Sequence, residues 1–94
     1  MEPEKHNRYL AYHDTATGLA NRALFNDRLE YALVQTERHS WSLALMFIDI
    51  DKFKLINDTY GHETGDRVLR SVGHALQLCA REEDTVSRIG GDEF

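Results

Sequence analysis

The chain has 94 residues, 41% hydrophobic and 29% charged, a balance that fits one small folded domain and excludes an intrinsically disordered chain. Its 16 acids outnumber its 11 Lys and Arg for a net charge of −5, and the cations form no cluster, which argues against a surface for duplex nucleic acid. No apolar run approaches the ~20 residues that a membrane-crossing helix needs, so direct membrane insertion is not expected.

Residues 1–13 are polar apart from a cluster at Tyr9, Leu10 and Tyr12, and are expected to form a helical lead-in from an upstream segment. Gly18 then makes a turn, and Asn21 stands where a helix N-cap is wanted. From Arg22 to about Arg38, Phe25, Leu29, Ala32 and Leu33 recur on one helical face, and Ser40 ends the pattern. Leu43 to Ile48 (LALMFI) is a continuous apolar run of strand length, which predicts a central strand covered on both faces. KFKLIND reads as a short helical turn, and TYGHETGD, residues 59–66, as a loop punctuated by Gly61 and Gly65. Val68, Leu69, Val72, Leu76 and Cys79 predict the stripe of a second long helix ending near Ala80. Thr85 to Ile89 predicts a second strand, with Gly90-Gly91 as a turn. Helix, strand, helix, strand in that order predicts an α/β sandwich. The N-terminal stretch has no signal-peptide core and the lone Cys79 cannot close an internal disulfide, so a cytoplasmic, reducing setting is expected.

The chemistry concentrates at two strand ends. FIDID puts Asp49 and Asp51 at the carboxyl end of a buried strand, where open α/β sheets place ligands. One acid, a backbone carbonyl and an acid from elsewhere would make a magnesium site that also holds phosphates. The plain alternative is that Asp51 caps the following helical turn. An EF-hand is a poorer fit, because Phe53 and Lys54 follow where that loop requires an acid and a glycine. In the second element, Gly90-Gly91 allows a tight hairpin whose tip projects Asp92 and Glu93. If the two strands are neighbours, these acids come close to Asp49. An ordinary hairpin with solvated acids is the alternative there.

Five stretches together resemble the GGDEF family of diguanylate cyclases: HDTATGLANR (13–22), FIDIDKFKLIND (47–58), YGHETGD (60–66), REED (81–84) and RIGGDEF (88–94). Two positions depart from the usual pattern: Ala16 stands where the family has Leu, and Ala20 where it often has Pro. Both are packing or turn positions. The resemblance implies a nucleotide-cyclase-like α+β sandwich, incomplete here, with residues 14–94 as the amino-terminal part of the domain. It further implies condensation of two GTP to cyclic di-GMP by a homodimer, with an upstream sensory or regulatory domain. This fragment alone would then be inactive, because family domains run on beyond the hairpin.

Residue by residue, the resemblance implies that Asp49 and the Ile50 carbonyl hold Mg2+ or Mn2+, with Asp92 and Glu93 completing the site. Asp92 would take the proton of the attacking 3′-hydroxyl. The amides of Lys52, Phe53 and Lys54 would cradle phosphates. Asn57 and Asp66 would bind the guanine edge, with His62 in the same loop. Arg81 and Asp84 match an RxxD site at which product inhibits, although a charged helix end is the plain alternative. Arg88 reads as structural. A GTP- or cyclic di-GMP-sensing module without turnover, and a dimerisation element, are the competing functions.

Overall fold

The computed structural model describes residues 3–94 and contains four helices: α1 (Pro3–Tyr12), α2 (Arg22–His39), α3 (Phe53–Tyr60) and α4 (His62–Cys79). Of the segment 1–13 expected to be helical, Pro3–Tyr12 form α1 and His13 instead bridges to Ala20, while residues 1 and 2 lie outside the described ones. Pro3 opens α1 with its φ already fixed for a helix, and Glu4 in the first turn suits the positive end of the dipole. Asn21 caps α2 as expected, its side-chain oxygen accepting from the Leu24 amide at 3.1 Å. The helix ends at Ser40, which takes a left-handed conformation at φ 55° and sends its amide to the Thr36 carbonyl. Of the apolar face read on α2, Phe25, Leu29 and Ala32 are half-buried, whereas Leu33 is exposed.

The segment read as a loop over 59–66 is helical on both sides of a single corner residue. Gly61, at φ 90°, ends α3 and starts α4, so His62 to Asp66 form the first turns of α4, and Phe53 to Asp58 of KFKLIND belong to an eight-residue helix. Gly65 is not a breaker. It is a close-approach glycine: a Cβ there would overlap the Asn57 side-chain oxygen, and its absence lets α3 lie tight against α4. On α4, Leu69 is buried and Val68, Val72 and Leu76 are half-buried, but Cys79 is exposed.

The expected central strand is only partly formed. Among the described residues, β pairing is limited to isolated bridges. Ile48 exchanges two backbone hydrogen bonds with Phe94 (2.8 and 2.7 Å), and the Ile50 amide reaches the Asp92 carbonyl at 3.2 Å. Leu43, Leu45, Met46 and Phe47 remain exposed, at 43% to 75%. A ladder extends only as far as its partner, and residues 92–94 reach no farther along this segment than Ile48. Ser87 pairs in parallel with Ala20, the Arg88 amide donating to the Ala20 carbonyl at 2.9 Å. The core is correspondingly small: Leu19, Leu69 and Phe94, flanked by Ile48, Ile50, Phe53, Val72, Leu76 and Val86. Among the described residues, no helix is long and apolar enough to cross a membrane.

Candidate active site

The two acidic elements do meet. Asp49 and Glu93 face each other in an antiparallel bridge, closed on either side by the Ile48–Phe94 and Ile50–Asp92 backbone bonds. Gly91 makes the turn at φ 54°, where a glycine carries no steric cost, and the Glu93 amide closes it onto the Gly90 carbonyl at 2.9 Å. The hairpin therefore brings Asp92 against Asp49. A side-chain hydrogen bond that the protonated Asp49 carboxyl donates to Asp92 pushes Asp49 above its ordinary value. Shielding by its neighbours and the charges of Asp92 and Glu93 push the same way, and the Ile50 amide opposes them weakly. Among the described residues, no three His, Cys, Asp or Glu side chains converge into a ready-made metal cage. Two adjoining carboxyls with a third acid beside them nonetheless fit a hard divalent cation, which takes oxygen ligands and keeps water and phosphate oxygens in its remaining positions.

Asp51 does not cap α3. The N-cap position belongs to Lys52, which holds φ 57° and makes no side-chain cap bond. The first-turn amides of α3, Phe53 and Lys54 among them, have no carbonyl partner within the helix. The left-handed step at Lys52 turns the chain from the Asp49 end into that helix. Asn57, half-buried on α3, has its side chain over Gly65, the residue before Asp66 on α4. His62 and Asp66 are exposed on the first two turns of α4. Asp66 is thus too far into the helix to cap it.

The REED residues follow α4 rather than end it. Ala80 is the C-cap, and Arg81 and Asp84 close a turn beyond it. In that turn Asp84 Oδ2 accepts from the Arg81 amide at 2.9 Å, while the Asp84 amide donates to the Arg81 carbonyl at 3.0 Å. Both side chains are exposed and border a cleft of about 340 Å³ that His13 and Arg28 also line. A second cleft, about 420 Å³ and mainly apolar, lies between α2 and the exposed 43–47 segment. Sequence reasoning did not find His13 and Arg28 beside REED, nor the ion pair between Arg88 and Asp14 (2.8 Å), because partners this far apart leave no local pattern.

Comparison with known proteins matches residues 11–94 to the family described as diguanylate cyclase, GGDEF domain. MucR, a bifunctional diguanylate cyclase/cyclic di-GMP phosphodiesterase of Pseudomonas aeruginosa, is 47% identical over 85 residues, covering 90% of this chain and 12% of MucR. The diguanylate cyclase TpbB of the same species is 49% identical over 84 residues, covering 89% of this chain and 19% of TpbB. The chain is thus similar to a small part of each. Among solved structures, the TpbB GGDEF domain superposes with a TM-score of 0.84 at 48% identity, over 87% of this chain and 48% of that one. DgcB of Caulobacter crescentus, solved as coiled coil and GGDEF domain in complex with c-di-GMP, gives 0.81 at 36% identity, over 96% of this chain and 47% of that one. The chain spans about half the length of these two solved chains.

Proposed function

Because the chain belongs to the diguanylate cyclase GGDEF family, we propose that it is the amino-terminal part of a catalytic domain that condenses two GTP to cyclic di-GMP and releases pyrophosphate. The observation that carries this reading is the meeting of Asp49 with Asp92, with Glu93 beside them, at the tip of the 90–94 turn. Asp92 accepts the proton of the 3′-hydroxyl that attacks the α-phosphate in line. Asp49, the Ile50 carbonyl, Asp92 and Glu93 hold Mg2+ or Mn2+. When bound there, the ion supplies positive charge against the phosphate oxygens and makes the hydroxyl easier to deprotonate. The amides of Lys52, Phe53 and Lys54 bind phosphate where the α3 dipole favours an anion. Asn57 and Asp66 read the guanine edge, with His62, at the start of α4, in the same substrate-binding segment.

One chain presents one GTP, so turnover requires two copies facing each other, and α1 carries the signal from an upstream sensory or regulatory domain in the cytoplasm. The cleft at Arg81 and Asp84 takes cyclic di-GMP as inhibitor. A binding-only module is the second reading, favoured by that cleft and by a relative solved in complex with c-di-GMP. The test is cyclic di-GMP formation from GTP and Mg2+ by the longest natural form of the protein. Asp92→Asn, which keeps the shape and removes the base, should abolish turnover while leaving GTP binding largely intact. Retained turnover would move the proton acceptor elsewhere, and GTP binding without turnover in the unaltered protein would favour the sensing module.

A further inference from the structure

Arg88 joins two parts of the molecule that the proposed chemistry leaves unconnected. Its Nε and Nη2 both donate to the Gly91 carbonyl, at 2.9 and 2.8 Å, in a fork that fixes the peptide immediately before Asp92. Its Nη1 pairs with Asp14 Oδ1 at 2.8 Å, with the two side chains only 17% and 16% exposed. Asp14 is itself held: its Oδ2 accepts from both the amide and the hydroxyl of Thr17, at 2.9 and 2.8 Å. The loop bearing Asp14 is tied to the end of α1 by Asn21, which donates from its side chain to the Ala11 carbonyl (3.0 Å) and from its amide to the Tyr12 carbonyl (2.9 Å).

We infer that Arg88 is a positioning residue for the reaction, clamping the Gly91 carbonyl so that Asp92 stays against Asp49, and that Asp14 locks the clamp to the end of α1. The inference rests on the catalytic assignment of Asp92 for its kinetic consequence, though not for the geometry. Two glycines in succession leave the turn free to adopt other conformations, and the turn's own hydrogen bonds are few: the Glu93 amide to the Gly90 carbonyl and the Ile89 amide to the Glu93 carbonyl. A planar five-donor guanidinium can serve a carboxylate and a carbonyl at once. A lysine can neutralise Asp14 but offers no fork for Gly91. Asp14→Asn keeps an oxygen for Thr17 and turns an amide toward Arg88, releasing the clamp from the other side.

The experiment compares unaltered protein, Arg88→Lys and Asp14→Asn in the longest natural form, measuring cyclic di-GMP formation together with amide hydrogen exchange. Arg88→Lys should lower kcat about 10- to 100-fold, the scale of loss that follows from misplacing a reacting group by about an ångström, and leave KM for GTP within about twofold. In both variants the Ile89 and Glu93 amides should exchange faster while those of α4 around Leu69 stay protected. Full rescue of kcat by lysine would overturn the clamp, since charge alone would then suffice. So would exchange rising equally at the turn and in α4, which is what a merely structural ion pair gives. If the unaltered protein makes no cyclic di-GMP, the enzymatic reading fails, and exchange alone decides: selective loss at the turn supports the clamp, uniform loss refutes it.

Discussion

Substituting alanine at Gly65 sets two effects of known size against each other. In the middle of a helix, alanine is better than glycine by about 0.5–1 kcal/mol, because glycine loses more backbone entropy on folding. Gly65 is buried on α4, however, and its Cβ would overlap the Asn57 side-chain oxygen and crowd the carbon that bears it. Relieving that overlap means rotating Asn57 or parting α3 from α4, and overpacking of this kind costs about 1–3 kcal/mol. Because the overlapping atoms end a half-buried side chain, the cost sits at the low end of that range, leaving Gly65→Ala less stable by up to about 1 kcal/mol, or roughly 4–8 °C in Tm for a domain of this size. With Asn57 shortened to alanine the obstruction goes and the helix preference remains. Gly65→Ala should then be neutral to about 1 kcal/mol stabilising in that background. Urea unfolding of the four proteins in the cycle measures both differences. An equal penalty in the two backgrounds would show that Asn57 is not what makes Gly65 necessary. Because Asn57 is the proposed guanine contact, Gly65→Ala should also weaken GTP binding.

Calorimetry should find Mg2+ binding weak without GTP, because the acids supply few ligands and the ion keeps company with substrate phosphates; tight nucleotide-free binding would contradict the site as drawn. The raised Asp49 carboxyl holds its proton more firmly in the folded chain than in the unfolded one, so its ionisation opposes folding as pH rises from the unfolded value of 3.8 through the folded one. Asp49→Asn should accordingly raise Tm at pH 7 in the absence of metal, with the difference vanishing below about pH 3; a lower Tm at pH 7 would refute the repulsion. Arg81→Ala should weaken inhibition by cyclic di-GMP roughly 10- to 150-fold, the loss of one charge-assisted phosphate contact of about 1.5–3 kcal/mol. An unchanged inhibition constant would leave REED as a solvated turn.

Much of the helical framework was legible because helices are governed by neighbours three and four residues away. The Asn21 cap, the left-handed stop at Ser40 and the apolar stripe through Leu69 and Leu76 all need only such neighbours. Gly61 and Gly65 misled for an equally physical reason. Glycine alone does not say whether it breaks a helix or admits a side chain from another, and the two residues do one each. The apolar run 43–48 carried the same ambiguity: it states that burial is wanted, not that a partner is present to provide it.

For the candidate site, the spacing of the acids and glycines pointed to the residues proposed to carry the chemistry, since FIDID and GGDEF each hold their groups within a few residues. What only the tertiary structure decided is how the two halves are held together. Asp49 meets Asp92 because a two-glycine turn folds its tip back onto Ile48 and Ile50. Asp14 and Arg88, 74 residues apart, become the ends of one clamp on Gly91. Such pairings depend on desolvation and on hydrogen-bond geometry between segments remote along the chain, and neither leaves a periodic trace in the order of the residues.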